Sequence, residues 1–68
     1  MKITKRDVGR AVIFQGFDGE LYKGYIESRG TSEYGFEYIQ VAYRLPLQGY
    51  ELTATLGKAH WDRVAFVA

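Results

Sequence analysis

Cysteine is absent from the 68 residues, so neither a disulfide nor a thiolate metal site can staple the fold. Proline and histidine occur once each. No stretch approaches the ~18 uninterrupted apolar residues that a membrane-spanning helix needs. Charge of neither sign dominates, with nine Lys and Arg against eight Asp and Glu and a net charge of +1. That balance does not announce a nucleic-acid binder. Residues 1–7 are charged and lack the apolar run of a signal peptide. The expectation is a soluble protein of the cytoplasm, folded as one domain over 1–68, because so short a chain has no room for a second core.

Aromatic residues are plentiful by contrast, at 16% with six tyrosines and four phenylalanines. Together with 47% hydrophobic and 25% charged residues they point to a globular, all-β chain. A core this small is marginal, since burial at ~25 cal/mol per Å² is nearly offset by chain entropy. Unusually good packing or self-association has to supply the difference.

Period-two alternation predicts five strands. The central one covers 37–44, where Ile39, Val41 and Tyr43 share one face and Tyr38, Gln40, Ala42 and Arg44 the other. The first, 10–15, is apolar on both faces. The second, 21–28, contains Gly24, which weakens a strand unless a bulge, a sharp bend or a crossing backbone needs the space, tight curvature being the usual reason in a small barrel. The fourth, 50–56, sets Tyr50, Leu52, Ala54 and Leu56 against Glu51, Thr53 and Thr55. The fifth, 64–67, would lie against the first.

The punctuation agrees with this reading. Thr4 and Asp7 have capping-box spacing, which predicts one helical turn with Val8 buried beneath it and Gly9 as its stop. Asp18-Gly19 is a hairpin dipeptide. Phe17 at its tip either folds back over the sheet or stands out as a contact residue. Residues 29–33 read as a polar connector. Pro46 and Gly49 interrupt pairing after the third strand. Residues 57–63 read as a 3-10-like crossover, with His60 expected to make a side chain–backbone hydrogen bond.

The order Asp7-Val8-Gly9-Arg10, then Gly24-Tyr25-Ile26-Glu27-Ser28, Ile39-Gln40-Val41-Ala42-Tyr43-Arg44 and Trp61-Asp62-Arg63-Val64-Ala65-Phe66 resembles the small SH3-like proteins of tailed phages and prophages. The resemblance covers nearly the whole chain through barrel-forming residues. It implies a small five-stranded SH3-like barrel, with a short N-terminal helical turn and a 3-10 turn before the last strand. It carries no agreed activity, hence no functional residues to transfer. The third strand is longer here, with Phe36 and Tyr38, and Leu45-Pro46-Leu47 is inserted. An OB-fold would need a helix after the third strand, where none fits.

Chemistry-bearing patterns are few. With one histidine, no cysteine and no phosphate loop, the residues predict no catalytic, metal or cofactor site and no small-molecule ligand. The apolar side chains exceed what one small interior can hold, so Tyr25, Phe36, Tyr38, Leu45 and Leu47 are the candidate surface for a protein partner or a homo-oligomer. The competing reading is a minor second core over one end of the sheet. The alternative function is nucleic-acid binding through Lys23, Arg29 and Arg44 with Tyr25. Glu20, Glu27, Glu33 and Glu37 are interspersed with those cations and would repel phosphates.

Overall fold

The structure is a computed structural model and describes residues 1–45, 47 and 49–67. A 3-10 turn over Lys5–Asp7 opens the chain. Asp7 reaches back as its spacing predicts: its carboxylate accepts from the Thr4 backbone N–H at 2.8 Å and from the Thr4 hydroxyl at 3.3 Å. The Thr4 N–H first, then the Arg10 guanidinium at 3.0 Å, hold the Asp7 carboxyl below the usual carboxylate range. Gly9 has φ +94° and donates its N–H to the Ile26 carbonyl at 2.7 Å. The expectation of a buried Val8 is corrected. Val8 has already left the turn for extended backbone and is exposed. Ile3 goes into the core instead, with its carbonyl fixed by the Arg29 Nε–H at 2.8 Å.

Five strands follow: β1 (Ala11–Gln15), β2 (Leu21–Thr31), β3 (Glu37–Arg44), β4 (Glu51–Gly57) and β5 (Val64–Phe66). They form one antiparallel sheet in the order β4-β3-β2-β1-β5. The expected pairing of the last strand with the first is present, at Val12 opposite Phe66 and Phe14 opposite Val64. Among the described residues no ladder joins β4 to β5, so the sheet is open. A second 3-10 turn, Lys58–Arg63, links them.

The largest departure from the sequence reading lies in β2. Residues 29–31 are strand rather than connector, and the turn is confined to 32–36, where Ser32 and Phe36 exchange bonds and Gly35 has φ +84°. A bulge between Ile26 and Ser28 shifts the register by one residue. Strict alternation would have kept Ser28 on the face of Ile26 and turned Arg29 outward. With the bulge, Ser28 pairs Gln40 on the outer face, and Arg29 pairs Ile39 on the inner one.

The core is the inner face of the sheet, built from Val12, Phe14, Ile26, Ile39, Val41, Leu56 and Val64 and closed by Ile3 and Trp61. Tyr22 and Tyr43 pack on Phe14 with ring centroids 5.6 and 5.2 Å away, and lie 5.1 Å from each other. Trp61 anchors the second 3-10 turn by donating its indole N–H to the Leu56 carbonyl at 3.0 Å. His60 makes no side-chain hydrogen bond among the described residues. Its ring meets Phe17 edge-on at 5.5 Å instead, because that hairpin tip leans onto the turn. Phe17 stays largely exposed there, with the Arg63 guanidinium 5.4 Å from its ring.

Candidate partner-binding face

On the outer face of the sheet, the ladders set Ala11 opposite Tyr25, Tyr25 opposite Ala42, and Ala42 opposite Thr53. One step along, Arg44 stands opposite Glu51 and Ile13 opposite Lys23. Large and small side chains therefore alternate across the sheet. Beside Tyr25 lie only Ala11, Gly24 and Ala42, and this leaves a groove of about 330 Å³. Its floor also includes Tyr43, and its rim carries Lys23, Arg44 and Glu51. Ile13 and Leu21, exposed on the same face of β1 and β2, extend the apolar surface.

Gly24 sits where the two strands close up beside the groove. A β-carbon there would stand 2.2 Å from the Ala42 carbonyl oxygen, so β2 and β3 approach too closely for any other residue. The Tyr25 hydroxyl reaches over the gap to Glu51 Oε1 at 3.4 Å. The Glu51 charge, aided by desolvation, raises the Tyr25 phenol above its ordinary pKa. Tyr25 thus stands as a neutral donor along the groove, 40% exposed.

The other residues singled out from the sequence scatter. Lys23 and Arg44 join Tyr25 at the groove. Phe36 stands at the β2–β3 turn, 73% exposed. Tyr38 pairs with Gly30, and its hydroxyl occupies the space a β-carbon there would need, so it is half-buried intramolecular packing. Gln40 is engaged by the Ser28 hydroxyl at 2.8 Å, and Ala42 is buried. Of the outer-face side chains of β3, only that of Arg44 is exposed. Leu45 is half-buried in the β3–β4 connector and Leu47 is 99% exposed there; Pro46 between them lies outside the described residues.

Arg29 belongs to a different place. Its guanidinium donates to Glu37 Oε1 at 2.5 Å and lies 5.6 Å from the Trp61 ring centroid. Lys58 Nζ completes the pair at 2.8 Å from Glu37 Oε2. Lys58 first, then Arg29, lower the Glu37 pKa. Lys2 and Lys5 approach the same cleft of about 470 Å³, whose only carboxylate among the described residues is Glu37.

Sequence reasoning put Ala42 with Arg44 on one face of the third strand but missed Glu51 and Ala11 as groove residues. The signal for Ala42 was its small size between Tyr43 and Val41; Glu51 and Ala11 needed the ladder registers. The basic cleft had no linear signal, since Lys2, Lys5, Arg29 and Lys58 meet only through tertiary contact. The chain matches no family model, no curated protein and no solved structure.

Proposed function

We propose that this chain is a non-enzymatic binding module that holds a polypeptide segment in the Tyr25 groove. The observation carrying the reading is an apolar trough bordered by two cations and one carboxylate, with that carboxylate turned to the Tyr25 hydroxyl. Such a site suits an apolar side chain flanked by an acidic residue, which Lys23 and Arg44 would meet. The fold we read as an SH3-like barrel. Support comes from the strand order, the pairing of β5 with β1 and the 3-10 turn between β4 and β5. The resemblance to phage and prophage proteins then makes this an accessory factor acting in the cytoplasm of a bacterial host.

A peptide array displaying apolar–acidic segments tests the proposal. The wild-type chain should bind a subset that Tyr25→Ala loses, and Lys23→Glu/Arg44→Glu should shift the preference towards basic peptides. Circular dichroism checks that both variants keep the fold. Equal binding by wild type and both folded variants would remove the groove as the site.

A second reading has its own observation. Lys2, Lys5, Arg29 and Lys58 gather around one cleft in a chain of nearly balanced charge, which favours a nucleic-acid backbone there. Oligonucleotide binding that weakens steeply with salt, and is lost in Lys2→Glu/Lys5→Glu, would support it. No binding at low salt eliminates it.

A further inference from the structure

The two edges of the sheet are unequal. β5 is three residues long, and the Arg10 guanidinium lies 3.8 Å over the ring of its Phe66. β4 has seven residues, Glu-Leu-Thr-Ala-Thr-Leu-Gly, with no lysine, arginine, proline or bulge along its pairing with β3. Those are the devices that keep an edge from pairing with another chain. Its free hydrogen-bonding groups can be assigned. The Val67 N–H bonds the Ala11 carbonyl, so Ala11 turns its backbone polar groups to β5 and Val12 turns its own to β2. Carrying that alternation through Val12–Gly24, Tyr25–Ala42 and Val41–Ala54 leaves Glu51, Thr53 and Thr55 with backbone N–H and C=O directed outward. Among the described residues no backbone bond outside the sheet engages them.

We infer that β4 pairs antiparallel with β4 of a second copy of this chain. The strand is its own complement. In the register centred on Ala54, which uses every residue of β4, Leu52 faces Leu56, Thr53 faces Thr55 and Glu51 faces Gly57. Leu52, half-buried at the sheet margin opposite Tyr43, gains Leu56 of the second copy on its open side, and the inner face continues across the two-fold axis. No like charges meet. In this register the outward backbone groups of Thr53 meet those of Thr55 of the second copy, twice by symmetry. The inference is independent of the Tyr25 groove, which opens on the outer face.

Sedimentation of the full chain, joined to cross-linking, tests it. Wild type should sediment as a dimer, and Thr53→Pro should halve the sedimenting mass. The substituted N–H points away from β3, so the monomer should keep its circular dichroism spectrum. Because the chain has no cysteine, single-cysteine variants report the register. Thr53→Cys mixed with Thr55→Cys should oxidise to a covalent dimer, at several-fold higher yield than either alone. A wild type that stays monomeric at high concentration overturns the inference, as does a dimer untouched by a folded Thr53→Pro. If Thr53→Pro does not fold, cross-linking decides: equal yields in mixed and unmixed samples contradict the pairing. Tyr25→Ala should leave the dimer intact, so loss of peptide binding and loss of dimer are read separately.

Discussion

The backbone of Gly24 passes so close to Ala42 that a β-carbon would stand 2.2 Å from the Ala42 carbonyl oxygen. The same pair of strands carries Tyr43 of the aromatic cluster with Phe14 and Tyr22 and lines the trough beside Tyr25.

Gly24→Ala should destabilise the fold by about 1–3 kcal/mol, because the obstacle is backbone and cannot swing aside. Gly30→Ala meets only the far end of the Tyr38 side chain and should be milder. Urea midpoints of the two variants give the comparison.

Trp61→Phe keeps most of the buried ring but leaves the Leu56 carbonyl without its indole donor. The expected loss is about 1–3 kcal/mol. Trp61→Ala, costing about 3–5 kcal/mol, should unfold so small a domain at ambient temperature. Thermal melts of both variants test this order.

The acid limb of stability should depend on Glu37. Its pKa is lowered in the fold by Lys58 and Arg29, so its contribution is fully present above the ordinary glutamate pKa. That contribution is lost as pH falls through the lowered folded value. Glu37→Gln should therefore be less stable than wild type at neutral pH and approach it in acid. Asp7 and Asp18 are lowered too, so the variant keeps part of the acid dependence. Urea midpoints across pH 7 to 3 would reveal the convergence.

Tyrosine ionisation offers a local check on the groove. The Asp18 carboxylate, bonded to the Tyr22 hydroxyl, pushes that phenol up to about 12. Glu51 raises Tyr25. In an absorbance titration, Tyr22→Phe should remove the last phenol to ionise. Glu51→Gln should move one phenol, that of Tyr25, back towards the ordinary tyrosine value.

Much of the sheet was legible before the structure because its residues alternate cleanly. The span of β3, the buried Ile39 and Val41 and the Asp7 cap all follow from period and local chemistry. What stayed hidden lay beyond one non-local feature. The bulge at Glu27 has no sequence mark, yet it reverses the faces of residues 28–31. It takes Arg29 out of the outer cationic set and pairs it with Glu37 instead. Ile3 takes the buried place expected of Val8 for a related reason, since an apolar residue on either side of a single turn fits the same pattern, and the Arg29 bond to the Ile3 carbonyl fixes Ile3 inward. Tyr25, Lys23 and Arg44 were singled out from the sequence, and they line one groove. Their grouping with Glu51 required the β3–β4 register.

The central claim is that the outer face around Tyr25 holds a partner chain, and amide shift mapping on the isotope-labelled protein tests it most directly. Titration with an apolar–acidic peptide selected on the array should perturb the amides of Lys23, Gly24, Tyr25, Ala42, Arg44 and Glu51 first. No perturbation there, with shifts instead confined to Lys2, Lys5, Arg29 and Lys58 on adding an oligonucleotide, would contradict it.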